Sequence, residues 1–154
     1  MQIKYLADHL SSLSKLARWH FAEWGYLQPN ETLEERIERL KKSCGFKQVP
    51  TVVIGLLGDT LCGSAMLVAQ DMDSKPEFTP WLAGVYVAPE YRSKGYGAAL
   101  IERIIKEAAT LNMSKIYLYT PDAEDYYLKL GWLIVERCRY RDVNVSIMSF
   151  QIAD

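Results

Sequence analysis

Apolar positions along the 154 residues switch between a spacing of three to four and a spacing of two, and each switch marks a change of element. Ile3 to Leu6 reads as a short opening strand. From Asp8 to about Trp24 the residues Leu10, Leu13, Leu16, Ala17, His20, Phe21 and Trp24 recur at helical spacing, with Asp8 as N-cap and Gly25 as stop. Asn30 to Ser43 predicts a second helix with a narrower stripe of Leu33, Ile37 and Leu40. Its outer face carries Glu31, Glu34 and Glu35 first and Arg39, Lys41 and Lys42 last, the order that complements a helix dipole. Thr51–Leu57 and Leu61–Ala69 then read as strands joined by Gly58-Asp59-Thr60, a hairpin signal. After the polar stretch Gln70–Pro80 come a strand at Trp81–Ala88, a helix at Gly95 to about Leu111 and a strand at Lys115–Tyr119. A helix at Pro121–Leu130, a strand at Trp132–Cys138 and a sheet-closing strand at Val143–Phe150 complete the order. The strand–helix–strand unit from Trp81 to Tyr119 implies a right-handed crossover between parallel strands. The expected class is therefore α/β, a mixed sheet with helices on both faces.

Composition adds boundaries rather than detail. A chain of this length is one ordinary domain, 1–154, without repeats or linkers. With 18 basic and 19 acidic residues the formal charge is −1, so nothing draws the chain to a phosphate backbone and nucleic acid is not an expected partner. The longest apolar run, Val52–Leu57, is far short of the ~20 residues of a membrane helix, and no signal core precedes it. Cys44, Cys62 and Cys138 are odd in number and scattered, which predicts neither disulfides nor a zinc site and implies a reducing, cytoplasmic setting. His9 and His20 lack the spacing to share a metal, and each reads as an interfacial or half-buried ring.

Chemistry concentrates in Val85-Tyr-Val-Ala-Pro-Glu-Tyr-Arg-Ser-Lys-Gly-Tyr-Gly-Ala. A strand stops at Pro89, and Arg92-Ser-Lys-Gly-Tyr-Gly leads into a long helix. Gly95 and Gly97 let backbone approach a ligand, and the helix start turns its free N–H groups to the same point. With Arg92 and Lys94 adding charge, these residues suit a pyrophosphate. A Walker A loop needs a Gly-Lys pair, which is absent, and a dinucleotide fingerprint needs a glycine where Leu100 stands.

The segment resembles the acetyl-CoA motif of the GNAT superfamily of N-acetyltransferases, [Arg/Gln]-x-x-Gly-x-[Gly/Ala], which Arg92, Gly95 and Gly97 match. Downstream, Ala123-Glu-Asp-Tyr-Tyr-Leu-Lys-Leu-Gly-Trp resembles the family's Ala-x-x-(aromatic)-Tyr-x-Lys-x-Gly-Phe, with Trp132 for the Phe. The resemblance implies a mostly antiparallel sheet in which the strand at Val85–Val87 splays from its parallel neighbour at Lys115–Tyr119. It implies acetyl-CoA as cosubstrate without a metal, its pantetheine arm on the backbone of Val85 and Val87. The pyrophosphate would sit within Arg92, Ser93, Lys94, Gly95, Tyr96, Gly97 and Ala98. Backbone N–H groups near Val85 and Tyr86 would face the tetrahedral oxyanion. The family's general acid falls on Tyr127, with Tyr126 turned about 100° aside on the helix.

Two departures stand out. Thr120 replaces the Asn that many members place before the last helix, and Trp81–Val87 holds no acid to serve as general base. Deprotonation would then run through water, or use an acid from elsewhere such as Glu23. From Thr51 to Tyr91 five acids stand against Lys75 alone, and most lie on loops, where a solvated rim is the ordinary reading. If the 70–80 loop borders the acceptor cleft, those acids would favour a cationic amine, with Trp19, Trp24, Tyr26 and Trp81 as its walls or as core. The acceptor is thus a small-molecule or peptide amine. An acyl-CoA sensor without turnover, or a transferase using a peptide N-terminus or another acyl-CoA, fits the same residues. Homodimers are frequent in the family.

Overall fold

Strand β2 (Thr51–Leu57) shows how the sheet divides the interior. Its alternation sends Val52, Ile54 and Leu56 into one apolar cluster and Val53 into another, so each face needs its own cover. In the computed structural model, which describes residues 1–153, α1 (Leu13–Trp24) and α2 (Leu33–Lys42) supply Leu16, Ala17 and Leu40 to the first cluster. Helix α3 (Tyr96–Thr110) supplies Leu100, Ile101, Ile104 and Ala108 to the second. The remaining elements are β1 (Gln2–Tyr5), β3 (Thr60–Val68), β4 (Trp81–Val87), β5 (Lys115–Thr120), α4 (Glu124–Lys129), β6 (Leu133–Tyr140) and β7 (Val143–Gln151). The seven strands form one sheet in the order β1-β2-β3-β4-β5-β7-β6, with β4 and β5 parallel and every other pair antiparallel. The expected mixed sheet with helices on both faces is therefore present.

Three boundaries differ from expectation. Helix α1 starts at Leu13, because two 3-10 turns precede it and His9, with φ −139° and ψ 52°, breaks any helix started at Asp8. Helix α2 starts after Thr32, whose side chain accepts from the Glu35 N–H at 3.1 Å while Glu35 accepts from the Thr32 N–H at 3.0 Å. Replacing Thr32 by Ala is expected to cost about 1 kcal/mol in urea unfolding. Pro121 does not begin the last helix. Thr120 Oγ1 accepts from the N–H groups of Asp122 and Ala123, bending the chain so that α4 opens at Glu124.

The last strand also does not close the sheet. β7 runs between β5 and β6 with Val145–Met148 buried, and β6, which alternates between exposed and half-buried positions, forms the edge.

Strands β4 and β5 pair only at Trp81 and Tyr117, supplemented by the Tyr117 N–H donating to Pro80 O at 3.0 Å. Beyond that point the two strands part, as the resemblance implies, and the gap between them is the main opening of the fold.

Candidate active site

A bulge in β4 shapes one wall of the gap. Between Ser64–Tyr86 and Met66–Ala83 the register gains a residue on β4, and Gly84 takes φ +57° there. A Cβ on Gly84 would lie 2.7 Å from Met66 Sδ, so both the turn and the space favour glycine. Ser64 Oγ donates to Gly84 O at 2.8 Å and lies 2.9 Å from His20 Nε2. With the serine proton committed to the carbonyl, His20 must donate through Nε2 and is the neutral tautomer. Burial, reinforced by Arg36 and Arg39, lowers its titration to about 3, so it stays neutral and ties down the bulge rather than moving protons. His20 is buried, not half-buried as its spacing implied. Because a trans peptide points N–H and C=O in opposite directions, the Val85 N–H faces away from Ser64.

At the end of β4 the chain reaches the glycine loop. Arg92 is exposed but folds back, donating from Nε to Val87 O at 2.8 Å and lying over the Tyr86 ring at 5.6 Å. Ser93 and Gly95 both take positive φ, at 65° and 82°, and Gly95 caps α3 without a side chain. The N–H groups of Tyr96, Gly97 and Ala98 therefore lack intrahelical acceptors and open outward, an anion-binding concavity. Lys94 stands exposed beside them. A Cβ on Gly97 would meet the Tyr126 hydroxyl at 3.2 Å, so Tyr126 borders this loop.

Tyr127 belongs to the gap. It is 9% exposed, packs edge-on against Trp132 at 5.9 Å, and lines a cavity of about 730 Å³ together with Val85. Burial first, then Tyr126 and Asp122, drives its hydroxyl pKa far up, so it holds its proton. The Tyr86 side chain instead packs against Trp19, His20 and Trp24. Of the aromatic residues expected around the acceptor, Trp24 and Tyr26 line the cavity, Trp19 lies on Tyr86, and Trp81 is core.

The far end of the cavity holds charges of both signs. Asp71 and Glu23 line it, but so do Arg36, Arg39 and Arg141, brought in from α2 and from the β6–β7 turn. Met72, fully buried, and Thr79 Oγ1 donating to Ala69 O at 2.7 Å pin the loop that carries Asp71. Burial lifts the Asp71 carboxyl to about 6, against the pull of Arg39 and Arg141. Glu23 is exposed at the rim. Sequence reasoning missed Arg36 and singled out no role for Asp71. The signal for Arg36 was its position at helical spacing inside the Leu33–Leu40 stripe, a charge on an otherwise apolar face. Among the described residues no group of three or more His, Cys, Asp or Glu could hold a metal ion, no helix is long and apolar enough to cross a membrane, and the three cysteines are free.

Residues 13–132 match the family model described as Acetyltransferase (GNAT) family. No curated protein sequence is significantly similar. Among solved structures, aminoglycoside 6'-acetyltransferase type Ii superposes with a TM-score of 0.77 at 20% identity, over 100% of this chain and 99% of that one. Aminoglycoside 6'-N-acetyltransferase complexed with coenzyme A gives 0.72 at 20% identity over 100% and 98%. The protein yncA from Salmonella typhimurium, solved with its cofactor acetyl-CoA, gives 0.74 at 15% identity over 100% and 95%. At these identities the structural likeness is one of fold.

Proposed function

Because the chain belongs to the GNAT acetyltransferase family, we propose that its residues 1–154 form a single N-acetyltransferase domain that moves the acetyl group of acetyl-CoA directly to a primary amine. The observation that carries this reading is the gap left where β4 and β5 part, with the glycine loop following β4 and Tyr127 on the gap's wall. Solved neighbours that hold acetyl-CoA or coenzyme A share the fold, and the aminoglycoside enzymes among them favour a small-molecule amine over a macromolecule.

Each chemical demand meets a residue. An alkylammonium, with a pKa of about 10, must lose a proton before its nitrogen can attack. Asp71, inside the cavity and with its carboxyl lifted to about 6, takes that proton in preference to the exposed Glu23. The amine nitrogen then bonds to the acetyl carbon, and the carbonyl oxygen gathers negative charge toward the N–H of Val85, which faces away from β3, whereas the Tyr86 N–H turns back toward it. As the carbon–sulfur bond breaks, the Tyr127 hydroxyl gives its proton to the departing thiolate, and the second proton, shed by the acylated nitrogen, returns through water to the tyrosinate. The amides of Tyr96, Gly97 and Ala98, with Arg92, Ser93, Lys94 and Gly95, hold the pyrophosphate, while Val85 and Val87 face the pantetheine arm.

Calorimetric titration with acetyl-CoA tests the first half of the reading, and thiol release with an amine library tests the second. Binding heat and thermal stabilisation are expected. Their absence would remove the reading. Gly97→Val, which adds bulk between the loop and Tyr126, should weaken acetyl-CoA binding by at least about tenfold without unfolding the protein.

A further inference from the structure

We infer that the acceptor carries a carboxylate as well as an amine, as a free amino acid does, with the carboxylate on the outer nitrogens of Arg36 and the ammonium on Asp71. The inference rests on the acetyltransferase reading and narrows its substrate.

Arg36 is the stronger half of the argument. Its side chain is only 9% exposed, and Nε donates to Glu31 Oε1 at 2.9 Å. Among the described residues, no protein group accepts from Nη1 or Nη2, although the residue lines the cavity. Four N–H donors of a buried cation are therefore left to whatever enters. Glu31 cannot serve them, because Arg39 also holds it, through Nε to Oε2 at 2.8 Å and Nη2 to Oε1 at 3.0 Å. Two guanidinium groups share one carboxylate, which leaves this end of the cavity net positive. A structural brace between α2 and the chain before it explains the Nε contact but leaves the outer nitrogens without a purpose. Donors that no protein group uses are open to a ligand, and a planar pair of N–H groups fits the two oxygens of a carboxylate.

Asp71 supplies the opposite charge. Its carboxylate has no hydrogen-bond partner among the described residues, and it lines the same cavity within the influence of Arg39 and Arg141. A polycationic acceptor would set an ammonium against Arg36 and Arg39. A purely anionic ligand would meet Asp71. A ligand bearing one charge of each sign satisfies both.

Matched acceptors that differ only by the carboxylate provide the test: lysine against cadaverine, and phenylalanine against phenethylamine, with kanamycin as a polycation. With wild-type protein and acetyl-CoA, the carboxylated member of at least one pair is expected to exceed its partner in kcat/KM by about 10- to 100-fold, the size of a charge-assisted hydrogen-bond pair. Arg36→Lys, which keeps the charge and loses the fork, should shrink that ratio at least about tenfold through KM. Cadaverine, phenethylamine or kanamycin used as well as the amino acids would overturn the inference, and this result needs no variant to fold. A ratio unchanged in a folded R36K protein would remove Arg36 from it. If no amine is turned over, melting of the coenzyme A complex with N-acetyl-phenylalanine against N-acetyl-phenethylamine decides. Stabilisation by the carboxylate alone supports the inference, and equal or absent stabilisation refutes it. Loss of acetyl-CoA stabilisation itself would instead count against the acetyltransferase reading.

Discussion

Replacing Tyr127 by Phe is expected to lower kcat by about 10²- to 10³-fold while the acetyl-CoA dissociation constant moves by no more than about threefold. The substitution removes one oxygen and keeps the ring that packs against Trp132 and Tyr126, at 5.9 and 5.3 Å. The helix end beneath it is locked, with the Trp132 N–H donating to Tyr127 O and the Gly131 N–H to Leu128 O, each at 3.1 Å. The backbone position of residue 127 should therefore survive the change. Burial drives the hydroxyl pKa up, so the group is protonated throughout the working pH range and is present as a hydrogen-bond donor when the thiolate departs. Single-turnover kinetics beside calorimetric titration makes the measurement. An equal loss of turnover and acetyl-CoA affinity would assign Tyr127 to packing instead.

Replacing Asp71 by Asn should reduce kcat/KM by about 10²-fold and abolish the acidic limb of the pH profile, which in the wild-type protein falls away as pH drops through about 6. The same variant has a stability signature of opposite benefit. The folded carboxyl titrates near 6, above its ordinary 3.8, so folding favours the protonated form. That contribution is complete below the ordinary value and is lost as pH rises through 6, where a carboxylate must ionise in a confined site. The amide that replaces the carboxyl never ionises, so D71N should melt above the wild type at about pH 8 and lose the advantage by about pH 4. Thermal melts across that range check the sign. A D71N enzyme that keeps the wild-type acidic limb would show that another group takes the proton.

The contrast between these two residues follows from how each was visible. Tyr127 and the loop Arg92–Ala98 lie in contiguous motifs, where helix starts and glycine spacing are properties of neighbouring residues. Asp71 stood among five acids of one stretch, and nothing local separates it from Asp59, which sits in the β2–β3 turn, or Asp73, which pairs with Arg141. Its distinction comes from Met72 anchoring the loop and from arginines contributed by α2 and the β6–β7 turn. A charge balance along the chain omits the cations that folding brings in, so the stretch alone did not show that Arg36, Arg39 and Arg141 share the cavity with Asp71. The misplaced last strand has a similar origin. Alternation identifies Val143–Phe150 as a strand, but both Leu133–Tyr140 and Lys115–Thr120 are available to pair with it, and side-chain burial on β7 decides that it takes both.

By itself the sequence determined the element order, the mixed sheet covered on both faces, the glycine loop at the start of a long helix and the tyrosine that follows it, because each depends on periodicity or on residues within a few positions of one another. Only the tertiary structure decided which charges share the cavity, that His20 is neutral and bound to the β4 bulge, and that Arg36 lines the cavity with donors no protein group uses. Those properties depend on desolvation and on interactions between groups as far apart in the chain as His20 and Ser64, or Asp71 and Arg141. Such terms exist only once the chain has folded around them.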